Sequence, residues 1–206
     1  MWAFWRWFNP QKTRLAIAHP RAPDPTQIIG ANEPRPAPAI PPEALGLERL
    51  ESRSHPGRYY YRNAIPNPLP GLPSIKGDAF FSYDLAGESH YQEALERIVG
   101  GHRSAAVYFR VIAVLSSEPD NSHDANAIVI RINGEKVGYI GKRDNVSLRR
   151  QLDALGVSGD VQCRAEIAGG WDHGGGDIGK FGLKLDLTFP LDVRPAPKPP
   201  APRKRR

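Results

Sequence analysis

Ser117 to Lys142 reads S-E-P-D-N-S-H-D-A-N-A-I-V-I-R-I-N-G-E-K-V-G-Y-I-G-K. It opens with a polar cluster of Glu118, Asp120, Asn121, His123, Asp124 and Asn126, which runs straight into an alternating strand, Ala127 to Ile132. Asn133-Gly134 then predicts a two-residue hairpin turn, because both central residues of a type I′ turn need positive φ. A second strand, Glu135 to Ile140, ends in Gly141-Lys142. A polar loop of this density at a strand end points to binding, since solubility alone does not require it.

Strand patterns extend outward from this hairpin. Ala79 to Leu85, Ser104 to Leu115, Asp160 to Ile167 and Lys180 to Phe189 alternate or run apolar. Ser89 to Val99 predicts a helix with Tyr91, Leu95 and Ile98 on one face. Asn145 to Leu155 predicts another, with Asp144 as N-cap, an apolar face of Val146, Leu148, Leu152 and Leu155, and Gly156 as its stop. Glu43 to Ser52 has the pattern of a further short helix. Six strands and two short helices predict a mainly β domain curled into a small barrel.

Of the chain's 206 residues, 21 are proline, most of them outside this core pattern. Arg21 to Pro42 and Arg194 to Pro202 are rich in Pro and Ala and lack hydrophobic periodicity, so extended or disordered segments are expected there. The expected organisation is a largely disordered extension over 1–77, a folded domain over 78–193 and a Pro-rich basic tail over 194–206. The net charge of +6 is unevenly placed. Residues 78–194 hold 13 Lys/Arg against 17 Asp/Glu, whereas the first 77 residues carry +5 and the last 12 another +5. A mildly acidic domain does not hold long duplex DNA by charge, but it can grip a short strand end through a few placed donors.

Cys163 is the single cysteine, which excludes a disulfide framework and a cysteine zinc site, and a reducing cytoplasm is the expected setting. No apolar run approaches membrane-spanning length, and Met1 to Phe8 lacks the aliphatic core of a signal peptide. The aromatics of that segment fit an interfacial anchor, a docking motif or a strap onto the domain. Arg58-Tyr59-Tyr60-Tyr61-Arg62 interleaves aromatic and basic residues as single-strand binders do, and it equally fits a segment packed along the domain. Asp120, Ser122 and Asp124 begin an EF-hand spacing, but Ala125 and Arg131 stand where that loop needs Gly and Glu. The Gly-rich run Gly169 to Gly179 lacks the Lys-Ser/Thr pair of a phosphate loop. With no P-loop, no G-x-S-x-G and no paired metal-binding histidines, the chain offers no catalytic constellation, and neither a cofactor nor a metal is expected.

Three motifs stand in order: Leu85-Ala86-Gly87-Glu88-Ser89-His90-Tyr91, then Glu118-Pro119-Asp120-Asn121-Ser122-His123-Asp124-Ala125-Asn126-Ala127-Ile128, then Gly134-Glu135-Lys136-Val137-Gly138-Tyr139-Ile140. Together they resemble the HIRAN domain, a small module of some Swi/Snf-type DNA-repair ATPases that also occurs as a free-standing bacterial protein. The resemblance covers about Asp78 to Val193, with Phe181 to Phe189 similar to the family's last strand. It implies an OB-like six-stranded barrel that binds single-stranded DNA at its 3′ end, in repair or defence beside an enzyme on another chain. On that reading His90 and Tyr91 grip a nucleotide. The loop of Asp120, Asn121, His123 and Asp124 reads the terminal sugar, Asp124 accepting from a 3′-hydroxyl and His123 stacking. Tyr139 offers a stacking face and Lys142 a phosphate donor, and Phe181 either walls the pocket or packs in the core. Ser89-His90 departs from the basic-aromatic pair of the eukaryotic ATPases. The competing reading is a protein-interaction adaptor that keeps the barrel and works through its Trp-rich and Pro-rich extensions.

Overall fold

Alternation of apolar and polar residues is the dominant force in this chain, and the computed structural model, which describes residues 40–196, is accordingly mainly β. In chain order the elements are β1 (Glu48–Glu51), β2 (Tyr59–Arg62), β3 (Ser74–Ile75), β4 (Tyr83–Asp84), α1 (Gln92–Val99), β5 (Val107–Ser117), β6 (Ile128–Ile132), β7 (Glu135–Tyr139), α2 (Lys142–Ala154), β8 (Val161–Gly169), β9 (Phe181–Leu185) and β10 (Val193–Arg194). Short 3-10 turns, Pro42–Leu45 and Glu88–Tyr91, precede β1 and α1.

The centre is the antiparallel pair β5–β8, in register from Val107 opposite Gly169 to Leu115 opposite Val161. Every second residue of β5, from Val107 through Phe109, Val111 and Ala113 to Leu115, is buried. Facing them from β8 are Val161, Cys163, Ala165 and Ile167, and burial pushes the enclosed Cys163 thiol up, which leaves it a packing group. Leu95, Ile98 and Val99 of α1 and Leu148 and Leu152 of α2 join the same core. Burying each such aliphatic side chain contributes about 1.5–3 kcal/mol, so this layer fixes the positions of everything attached to it.

The hairpin forms as its sequence demands. Asn133 and Gly134 have φ of 51° and 84°, and Ile132 pairs with Glu135 across the turn. Ladders run continuously in the order β7, β6, β5, β8, β9, β4. These are the six expected strands. Strand pairing does not close them into a barrel: only an isolated bridge joins the segment after β4 to β7, with Ala86 and Tyr139 exchanging backbone hydrogen bonds of 2.9 and 3.0 Å. The strand expected at Ala79 to Leu85 shrinks to Tyr83–Asp84. Asp186, buried beneath the turn, accepts the Ala79 N–H at 2.7 Å and holds the preceding residues out of extended geometry.

Part of the expected disordered extension is ordered. β1 and β2 form a hairpin, β2 adds in parallel to the start of β5, and β3 adds to β8. Buried Gln162 fastens the Pro-rich linker, accepting from Leu69 N–H at 2.6 Å and donating to the Leu69 and Leu72 carbonyls at 2.8 Å. The helix expected over Glu43 to Ser52 is only the 3-10 turn, because Gly46 ends it and β1 begins two residues later. α2 starts at Lys142 with Gly141 as its N-cap, since the Asp144 carboxylate instead accepts the Tyr83 hydroxyl at 2.7 Å. Val146 and Leu155 stay exposed on that helix. Among the described residues no helix is long and apolar enough to cross a membrane. The aromatic segment Met1 to Phe8, nearly all of Arg21 to Pro42 and the cations Arg203 to Arg206 lie outside the described residues.

Candidate nucleic-acid interface

A bulge organises this surface. Ile130 pairs with Gly138 but Arg131 pairs with Lys136, so Val137 is an extra residue in β7. Strict alternation would put Lys136 and Tyr139 on opposite faces; the extra residue reverses the parity and brings them together. The Lys136 ammonium donates to the Tyr139 hydroxyl at 2.7 Å.

Glu118, at the end of β5, gathers the rest. Its carboxylate accepts from the Asn121 amide at 2.7 Å, the Tyr139 hydroxyl at 2.7 Å and the Lys136 ammonium at 3.0 Å. Those donors, Asn121 first, hold the Glu118 carboxyl at about 2, well below its usual range. Lys136 is shifted up, chiefly by Tyr139 and then by Glu118. Tyr91 lies against the same group, its phenol pushed up by burial and by the neighbouring Tyr139. Buried or half-buried polar clusters of this kind are rigid when each member has a partner.

The loop following Glu118 is wound by its own side chains. Asn121 Oδ1 accepts the backbone N–H groups of His123 and Asp124 at 2.9 and 3.2 Å. Asp124 accepts the Asn126 N–H at 2.9 Å with one oxygen and the side-chain amide of buried Asn145 at 2.9 Å with the other. Those two bonds, more than the nearby Lys142 and Arg149, hold the Asp124 carboxyl below its usual range. Asp124 thus works as a staple between the loop and α2. Asp120 and His123 project as exposed side chains on the loop.

Beside the cluster a shallow pocket of about 590 Å³ is lined by His90, Tyr91, Arg97, Glu135 and Lys136, among others. Its cations are compensated: Arg97 donates to Glu135 at 2.7 and 3.1 Å, and Lys136 is bound to Glu118. A pocket with paired cations and the Tyr91 phenol suits a sugar hydroxyl and a base better than a run of phosphates.

The structure therefore brings His90, Tyr91, Asn121 and Tyr139 together, and keeps Asp120, His123 and Asp124 on the adjoining loop. Lys142 is the exposed first residue of α2; its charge acts on Asp124, and it does not line the pocket. Phe181 corrects the expectation of a pocket wall. It is 2 % exposed, its ring packs 4.8 Å from His102, and its N–H and carbonyl are both bonded to the Gln92 side chain. Glu118 stands in the polar cluster read from the sequence but was given no role there, and Lys136 and Asn145 were not singled out. Lys136 could have been found only by assuming the bulge, for which the glycine at 138 is the sole local sign. No family model, curated protein or solved structure matches the chain.

Proposed function

We propose that the chain is a HIRAN-type module that binds the 3′ end of a single DNA strand and serves repair or defence beside an enzyme on another chain. The carrying observation is the convergence of Tyr91, Tyr139 and Asn121 on the Glu118–Lys136 pair, beside a pocket whose cations are already neutralised. A terminal nucleotide stacks on a phenol, and its hydroxyl meets the polar loop. Two carboxylates on that loop, Asp120 and Asp124, form no ion pair among the described residues, and they oppose a terminal phosphate by like-charge repulsion. The finer reading of the sheet as an OB-like barrel rests on the Ala86–Tyr139 bridge, which lies where a sixth ladder would close the ring.

The test is a competition between short single strands that differ only at the 3′ position, one a hydroxyl and one a phosphate. Preference for the hydroxyl, reduced by Tyr91→Ala, supports the reading; equal binding of the two ends defeats it. The adaptor reading has one observation in its favour. Phe80 is 80 % exposed on a turn where Ala79 and Phe81 hold positive φ, a strained display of a large apolar ring. Absence of binding to any oligonucleotide, with pull-down of a partner lost on Phe80→Ser, would select it.

A further inference from the structure

A second cleft opens at the other end of the sheet. It has a volume of about 870 Å³ and lies between the β1–β2 hairpin, the start of β5 and the Gly-rich loop after β8. Four tyrosine and tryptophan side chains line it: Tyr59, Tyr60, Tyr108 and Trp171. Tyr59 and Tyr108 are 41 % and 39 % exposed, values that leave ring surface open to a ligand.

These rings are held in place. The Arg49 guanidinium sits 3.9 Å from the centre of the Tyr59 ring. Tyr60 packs edge-on against Tyr108 at 5.4 Å. Gly179 lies so close to the Trp171 indole that any side chain there would collide with it, and the indole N–H donates to Asp177 at 3.4 Å. A fixed aromatic surface binds flat groups with little ordering cost, which is how stacking platforms for unpaired bases work.

The charge on this cleft differs from that on the first pocket. Residues 48–62 carry Arg49, Arg53, Arg58 and Arg62 against Glu48 and Glu51. Among the described residues Arg49, Arg53 and Arg58 form no ion pair, whereas Arg97 and Lys136 at the first pocket both do. Nearby acids are engaged elsewhere: Glu51 accepts the Gly57 N–H at 2.7 Å, and Asp177 binds His173 at 2.9 Å. Uncompensated guanidinium groups beside open rings match a chain of alternating phosphates and bases.

We propose that this cleft binds an internal stretch of single-stranded nucleic acid, with bases on Tyr59, Tyr108 and Trp171 and phosphates on Arg49 and Arg58. The occupant is single-stranded because a paired duplex hides the base faces that these rings would cover. The site does not depend on the strand-end reading. It uses none of the residues around Glu118 and needs no free terminus.

The test uses the full chain and a labelled oligothymidylate of about ten nucleotides, within the span such sites cover, blocked by a 3′-phosphate. Fluorescence anisotropy reads the affinity. Tyr59→Ala with Tyr108→Ala weakens binding at least about fivefold, the lower end for losing one stacked base. A second variant, Arg49→Gln with Arg58→Gln, touches no buried core group and flattens the slope of log affinity against log salt by about 1.4, the value for two phosphates on a single strand. The blocked strand offers no free 3′-hydroxyl, so its loss of affinity in the tyrosine variant reports on this cleft alone, and failure of the strand-end reading and failure of this one are separable. Unchanged affinity in the tyrosine variant overturns the proposal. So does displacement of the labelled strand by polyglutamate as readily as by unlabelled strand, since charge alone would then explain binding and an acidic protein segment would serve equally.

Discussion

Tyr139→Phe removes one hydroxyl from the Glu118 cluster and leaves the ring in place. In the folded protein Glu118 has three donors, at 2.7, 2.7 and 3.0 Å, and its carboxyl sits at about 2 instead of 4.5. Taken at face value that difference is about 3 kcal/mol of stability at neutral pH, at about 1.4 kcal/mol per pKa unit. The Glu118 side chain is 25 % exposed, so solvent screening reduces this figure. With one of three donors lost, the variant is expected to be about 1 kcal/mol less stable near neutral pH. The sign of the pH dependence follows from the depressed pKa. Its stabilisation is fully present above the unfolded value near 4.5 and is lost as pH falls toward 2. Tyr139→Phe brings the folded pKa back toward its ordinary value, so the variant has less to lose on acidification. Urea denaturation of both proteins from about pH 7 to about pH 3 should show the gap narrowing through that window. A gap of constant size at both ends would refute the reasoning, because Tyr139 would then act through packing and not through the ionised Glu118.

Other perturbations report on separate parts of the structure. Asp124→Ala deprives buried Asn145 and the Asn126 N–H of their acceptor, so the melting temperature falls; an unchanged melt would mean that Asp124 is free to serve a ligand alone. Gly170→Ala drives a methyl into the Phe181 ring at a φ of 67°, and denaturation should register a loss of about 2 kcal/mol or more, with a neutral result disproving the packing. Gln162→Ala releases the Leu69 and Leu72 backbone, costing about 1–3 kcal/mol, and hydrogen exchange should rise over residues 64–73 first; uniform exchange across the domain would contradict a local fastening. Removal of residues 195–206 takes away five cations and no acids, which flattens the salt dependence of nucleic-acid binding and spares any preference between strand ends, as competition assays at two salt concentrations would reveal.

Local physics made some of the architecture readable in advance. Asn133-Gly134 announces its turn because few other pairs tolerate two positive φ values, and β5 announces itself through alternating residues from Val107 to Leu115. The strands β1 to β3 were hidden for the opposite reason. Each is short, and what orders this stretch comes from far away in sequence: Gln162 is 93 residues from Leu69, and the Asn63 side chain exchanges hydrogen bonds with the Arg110 backbone 47 residues on. Composition correctly marks such a segment as poor in core-forming residues but is silent about distant side chains that satisfy its backbone. At the site, the polar loop was legible as a loop. The partnership of Lys136 with Tyr139 was not, because a single bulge reverses which residues share a face. Phe181 was open to either pocket or core, and the core claimed it because its strand neighbours Leu183 and Leu185 face the same way.

Charge pairing, more than charge count, divides the labour between surfaces. A sum over the sequence treats Arg97, Lys136, Arg49 and Arg58 alike, yet the first two are bound to Glu135 and Glu118 while the latter two have no acidic partner among the described residues. A paired cation releases few counterions when a phosphate approaches, so the pocket around Tyr91 should add little to salt-dependent affinity. Unpaired cations beside Tyr59, with the basic tail, should supply most of it. If both proposals hold, overall affinity at low salt measures the cleft and the tail, and the terminal pocket becomes visible only as a ratio between strand ends, which persists when salt has suppressed the rest.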